Sequence, residues 1–204
     1  MLKYRGGEPM KRQHYFYAIE LPGEAKDSLH QWVTELKQTY SYKSWVHPSD
    51  YHITLAFLGS ASQQMLNDTT TLLHTELKEC STFPLKITGL GTFGMEESPR
   101  ILWASVEEQP LLYELQSKVW SICTKAGFSL DKKSFTPHIT IARRCQEKME
   151  KGHIKQIEES LPSISAFEVQ NLVLYRTNMD SIPKYEPIVT YPLVEGLREN
   201  KNKE

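Results

Sequence analysis

Two histidines stand in matching settings: His52 opens His52-Ile53-Thr54 in the run YHITLAFLG, and His138 opens His138-Ile139-Thr140 in FTPHITIARR. An imidazole titrates near neutrality, so one can take a proton while a second, still charged, gives one. A threonine hydroxyl two residues on supplies a donor for an anionic substrate. Two such pairs brought together suit phosphodiester chemistry. One group deprotonates the attacking water, another on the opposite side of phosphorus protonates the leaving oxygen, and no metal is required.

The pattern His-x-Thr is weak evidence by itself. With seven histidines, about 0.5 occurrences are expected by chance in a chain of this composition. Context discriminates. Both copies carry Ile between, both continue with an aliphatic residue and Ala, and both lie in strand-like runs. A period of two there puts His and Thr on one face and Ile on the other. A lone histidine on a half-buried strand is more often a core or surface residue than a catalyst; the matched pair reverses that reading.

The elements that must position the pair follow from periodicity and punctuation. Residues 14–21 alternate and stop at Pro22-Gly23, a strand and turn. Leu29, Trp32, Val33 and Leu36 predict a helix over 24–40. The first HIT strand spans 51–58 and is followed by a helix over 61–79. Strands over 84–93 and 100–107 precede a helix from Pro110 to Lys125, closed by Gly127. The second HIT strand spans 135–143. A helix over 146–160 and strands over 167–176 and 185–193 finish the chain. The order strand, helix, HIT strand, helix occurs twice, with 86 residues (138 − 52) between the histidines. The expected fold is α+β and bilobed, with pseudo-two-fold symmetry: two antiparallel sheets face each other across a central cleft, with helices outside. Residues 1–13 are expected to be a disordered extension, 14–193 a single domain, and 194–204 a polar tail.

Composition bounds the function. A formal charge of −1 excludes the broad basic footprint of a duplex-binding protein, so any nucleic acid must be engaged locally. Cys80, Cys123 and Cys145 form an odd, scattered set, which fits buried thiols in a reducing compartment. No apolar run reaches membrane-span length and no secretory signal opens the chain, so the expected setting is the cytoplasm.

HITLAFLG, FTPHITIAR, YFYAIELP, SWVHPSDYHITL and RILWASV together resemble the two-histidine (2H) phosphoesterases, in particular their RNA 2′,3′-cyclic phosphodiesterase (2′-5′ RNA ligase, LigT/ThpR) type. The resemblance covers about residues 14–193. It implies a bilobed fold in which each lobe gives one HxT strand, and hydrolysis of a 2′,3′-cyclic phosphate to a 2′-phosphomonoester without metal or organic cofactor. By that analogy His52 is the general acid toward the 3′ oxygen and His138 the general base for water, with Thr54 and Thr140 binding the phosphate. Arg143 matches the arginine that follows the family's second motif. Strict alternation from His138 instead puts Arg144 on the catalytic face; a bulge or strand end would return Arg143 to it. The expected partners are RNA ends or nucleotides, with no membrane, no obligatory protein partner and a monomeric chain.

Rival readings are a binding module that holds a nucleotide or RNA end without turnover, or another 2H activity: hydrolysis of 2′-5′ oligonucleotides or ADP-ribose cyclic phosphate, or 2′-5′ RNA ligation. Phe16, Tyr17, Trp45 and Tyr175 are candidates to stack a base, or else core. Gly89-Leu90-Gly91-Thr92-Phe93-Gly94 spells GxGxxG, but no helix follows to hold a pyrophosphate. His47 and His52 lack the further ligands of a metal site, and His47 reads as a loop residue.

Overall fold

Alternating aromatic and aliphatic side chains build the first long strand, and in a computed structural model of the chain it lies inside a sheet. The structure describes residues 4–5, 8–9, 13–95, 97–150 and 152–195. In chain order the elements are β1 (Tyr4–Arg5), β2 (Glu8–Pro9), β3 (Tyr15–Glu20), α1 (Gly23–Thr39), β4 (Tyr42–Trp45), β5 (His52–Gly59), α2 (Gln63–Glu76), β6 (Phe83–Leu85), β7 (Ile87–Met95), β8 (Ser98–Val106), α3 (Pro110–Lys125), β9 (His138–Cys145), α4 (His153–Glu158), β10 (Phe167–Val169), β11 (Asn171–Thr177) and β12 (Tyr185–Pro192). Of the extension expected over 1–13, β1 pairs with β2 and most of the rest lies outside the described residues, as does the tail from 196. No helix among the described residues is long and apolar enough to cross a membrane.

The α+β class stands, but the halves are not two separate sheets. One eight-stranded sheet runs β12-β11-β3-β5-β9-β8-β7, with β4 also paired to β9, and every pair in it is antiparallel. The halves join at one residue pair, Ile53 opposite Ile139. Both strands meet there one residue from their starts and then run apart in opposite directions, which confines the seam to the ends of the two strands. Nor do the halves follow the chain. The C-terminal hairpin β11–β12 extends the half containing β3 and β5, and β4, from the N-terminal part, closes against β9.

Burial follows the apolar periodicity. Ile53 and Ile139 are fully buried, together with Leu29, Val33 and Leu36 of α1, Leu73 of α2 and Leu112 and Val119 of α3. Removing such a side chain from water contributes about 1.5–3 kcal/mol. Local signals set the helix ends: the Ser62 hydroxyl accepts the Met65 N–H at the start of α2, and Gly127, at φ 91°, ends the turn after α3. The last predicted helix is shorter than its periodicity suggests. Residues 146–150 instead run against other segments: the Gln146 N–H donates to Ser41 O and the Met149 N–H to Glu97 O. Met149 is buried, and only 153–158 is helical.

Candidate active site

A one-residue bulge falls at the same place in both HIT strands. Across from β5, Tyr17 pairs with Ala56 and Ala18 with Thr54, so Leu55 is passed over. Across from β9, Leu102 pairs with Ala142 and Trp103 with Thr140, so Ile141 is passed over. Each bulged residue and the alanine after it are buried. A bulge shifts the alternation by one, so the face that carries His and Thr next presents Phe57 in β5 and Arg143 in β9. This corrects the strict alternation that favoured Arg144, which is exposed with φ 61°.

The single pair at the seam fixes how the motifs meet. With Ile53 opposite Ile139, one step along the antiparallel register sets His52 alongside Thr140, and Thr54 alongside His138. Both rings are held in the same way. His52 Nδ1 donates to the carbonyl of Asp50 at 2.7 Å, and His138 Nδ1 to the carbonyl of Thr136 at 2.8 Å. A carbonyl can only accept, so the proton sits on Nδ1 and Nε2 is left as the basic atom. The Thr54 hydroxyl donates to Nε2 of His52 at 3.0 Å.

Electrostatics link the groups. Burial lowers the His52 pKa to about 4 against the hydrogen bond to Asp50, and the positive charges of Arg143 and His138 push the same way. His138 is lowered as well, by burial and by Arg143. Both imidazoles are therefore neutral at pH 7 in the free protein, and Arg143 acts on both.

Each ring leans on aromatics of its own half. Around His52 stand Phe16 at 4.8 Å and Tyr185 at 5.1 Å, edge-on; around His138 stand Phe93 at 5.0 Å and Trp103 at 5.9 Å. Asp50 organises the first of these walls. The residue is 5% exposed, and its carboxylate accepts N–H bonds from Lys184 and Tyr185 at 2.9–3.0 Å. One residue thus holds the His52 ring through its carbonyl and the Tyr185 segment through its side chain. Sequence reasoning missed Asp50, Phe93, Trp103 and Tyr185. The available signal for Asp50 was its position two residues before the histidine, the offset at which Thr136 serves His138.

A cleft of about 1260 Å³ opens beside this group, with Thr54 and His138 at one end and Phe57, Trp120, Lys132 and Lys133 among its walls. The proposed stacking residues do not line it. Phe16 and Tyr175 are buried against each other at 5.3 Å. Tyr17 is fully buried, its hydroxyl donating to Thr69, and Trp45 sits under Lys37. The GxGxxG run lies in the β7–β8 hairpin, where Gly91 leaves room for Trp103: a Cβ there would meet the indole at 2.3 Å. His47 accepts the Ser49 N–H at the turn before β5. Among the described residues no group of three or more His, Cys, Asp or Glu is placed to hold a metal ion.

Comparison with known proteins places this chain among relatives. The sequence matches the 2′-5′ RNA ligase superfamily over residues 25–181. It is 42% identical over 186 residues to an RNA 2′,3′-cyclic phosphodiesterase of Geobacillus stearothermophilus, covering 91% of this chain and 59% of that protein. It is 28% identical over 192 residues to one of Bacillus subtilis strain 168, covering 91% of this chain and 99% of that protein. This chain thus spans 59% of the length of the Geobacillus relative. Among solved structures, E. coli LigT complexed with 3′-AMP superposes with a TM-score of 0.73 at 23% identity, over 91% of this chain and all of that one. TT0787 of Thermus thermophilus gives 0.71 at 24% identity, over 89% of this chain and 98% of that one. These likenesses carry the fold.

Proposed function

We propose that this chain, which belongs to the 2′-5′ RNA ligase superfamily, hydrolyses 2′,3′-cyclic phosphate ends of RNA or nucleotides to 2′-phosphomonoesters, with His52 and His138 as the acid/base pair. The observation that carries the reading is the meeting of two identically anchored imidazoles at the Ile53–Ile139 seam. The relatives named RNA 2′,3′-cyclic phosphodiesterase support the substrate class.

In the proposed step Nε2 of His138 takes a proton from water as its oxygen bonds to phosphorus. The bond to the 3′ oxygen breaks, and His52 gives that oxygen its proton. Thr54, Thr140 and Arg143 serve as donors and charge for the nonbridging oxygens. A general acid must arrive charged, and His52 is neutral in the free protein. The substrate's own negative charge offsets the cationic surroundings and raises the proton affinity of both rings on binding. Incubation with 2′,3′-cyclic AMP, with products separated by chromatography, tests the reading. It expects 2′-AMP and retention of the rate in chelator. Release of 3′-AMP overturns the acid's position, loss of rate in chelator overturns the metal-free step, and binding without turnover makes the chain a nucleotide-holding module.

A further inference from the structure

The run Gly89-Leu90-Gly91-Thr92-Phe93-Gly94 is followed by the strand β8 rather than by a helix, and two of its glycines sit where the second half needs space. Glycine weakens a strand interior and often marks a place where another group comes close. In β7 Gly89 pairs with Ser105, Gly91 with Trp103 and Phe93 with Ile101. In β9 His138 pairs with Ser105, Thr140 with Trp103 and Arg143 with Ile101. Residues directly opposite share a face, so Gly89, Gly91, Phe93 and Trp103 lie on the face that carries His138, Thr140 and Arg143. A Cβ on Gly91 would meet three atoms of the Trp103 indole at 2.3–2.7 Å, and one on Gly89 would meet the Glu158 carboxyl group at 2.6–2.8 Å.

The indole seated there is one corner of a triangle of rings. Its centre is 5.9 Å from His138 and 5.2 Å from Phe93, and Phe93 meets His138 edge-on at 5.0 Å. Shape sets its seat, because its Nε1–H is buried with no hydrogen-bond partner among the described residues, an arrangement that costs stability. The anchor of His138, the bond from Nδ1 to the Thr136 carbonyl at 2.8 Å, fixes where Nδ1 points but leaves the ring free to turn about that bond. A wall of rings stops the turn. The other half has no counterpart: the residue opposite Thr54 is Ala18, fully buried, and His52 has the Thr54 hydroxyl at Nε2 instead. We infer that Trp103, seated by the space that Gly91 leaves, is the positioning residue of the His138 imidazole and holds its Nε2 in line with the reacting centre. The inference rests on the proposed activity for what that imidazole does. Burial is the largest cause that lowers the His138 pKa, with Arg143 pushing the same way and the Thr136 bond opposing. Displacing the indole lessens the burial while the charges that face the ring, Arg143 on β9 and His52 on β5, stay in place, so the pKa should rise.

The test compares Gly91→Ala, Gly89→Ala, Trp103→Phe and the double variant Gly91→Ala/Trp103→Phe with wild type, by kcat and KM on 2′,3′-cyclic AMP and by NMR titration of the His138 imidazole. Gly91→Ala drives a methyl into the indole. It is expected to lower kcat about tenfold to a hundredfold with KM little changed, the scale of a misplacement of about 1 Å, and to raise the His138 pKa. Gly89→Ala strains the same strand against Glu158 and should leave both readouts close to wild type. The double variant makes room for the methyl by shortening the ring, and should recover kcat above that of Gly91→Ala, a coupling that independent sites do not show. A kcat or a His138 titration unmoved by Gly91→Ala, equal losses in Gly89→Ala, or no relief in the double variant overturns the role and leaves Trp103 as packing. Should Gly91→Ala fail to fold, Trp103→Phe alone decides: its smaller cover should raise the His138 pKa, and an unchanged titration overturns the role. Should the wild type turn over no cyclic phosphate, the proposed activity fails, while the titrations still judge the positioning.

Discussion

The halves built on β5 and β9 share a frame and differ in what they hang on it. Both have the bulge after Thr, both anchor the imidazole through a carbonyl two residues back, and both bury the intervening isoleucine. They differ at the site-facing position after the bulge, where β5 has exposed Phe57 and β9 has Arg143. They differ also in closure: His52 sits among Phe16, Tyr175 and Tyr185, whereas His138 borders the open cleft. The shared part supplies two proton carriers. The unshared part supplies asymmetry: a fixed positive charge at Arg143 on β9, and an open cleft lined by β5 from Thr54 to Gly59 and by His138.

The strongest way to break the comparison is to remove each imidazole in turn. His52→Ala and His138→Ala should each lower kcat on a 2′,3′-cyclic nucleotide by about 10²–10⁴; full activity in either would separate that half from the chemistry. Next comes the post-bulge position. Arg143→Ala is expected to cost about 10² in kcat/KM and Phe57→Ala less than tenfold, seen in KM. Because the Arg143 charge lowers proton affinity at both histidines, its removal should also move both limbs of the kcat/KM pH profile upward. A profile that does not move would place Arg143 outside the site's field. Asp50→Asn tests the wall that only His52 has. The bonds to Lys184 and Tyr185 lose their charged acceptor, a change of about 1–3 kcal/mol in denaturant stability, and kcat should fall about tenfold with KM little altered. If stability falls but kcat and its pH profile stay, Asp50 is structural only.

The smallest effect is on stability against pH. The folded His52 pKa of about 4 lies below the ordinary value of 6.5, so between those values the unfolded chain binds more protons and acid destabilises the fold. Stability is complete above pH 6.5 and is lost as pH falls toward 4, by on the order of 1–2 kcal/mol after solvent screening of a half-buried ring. His52→Gln should flatten that slope in urea titrations at pH 7 and 5.

Much of this was readable from residue order. The recurrence of His-Ile-Thr, the alternation around it and the helical stripes of α1, α2 and α3 depend on neighbours a few positions apart, and the described elements follow them closely. What escaped depends on distant partners. The bulges at Leu55 and Ile141 are defined by the strands opposite, and so is the return of Arg143 to the histidine face. β4 is defined by its pairing with β9, roughly a hundred residues further along the chain. Residues 146–150 leave the helix because Ser41 and Glu97 accept their amides. Asp50 reads as an ordinary turn carboxylate until the 184–185 backbone arrives above it.

The way the chain passes between the halves has a consequence for how the molecule comes apart. It leaves β3 to lay β4 against β9, returns for β5, leaves again for β7, β8 and β9, and returns to finish with β11 and β12. A cut between the two sequence repeats would therefore strip each piece of a strand that the other carries, so neither repeat is a free-standing unit. Their unfolding is expected to be a single cooperative event, seen as coincident transitions by different probes, because the covalent chain crosses between the halves repeatedly.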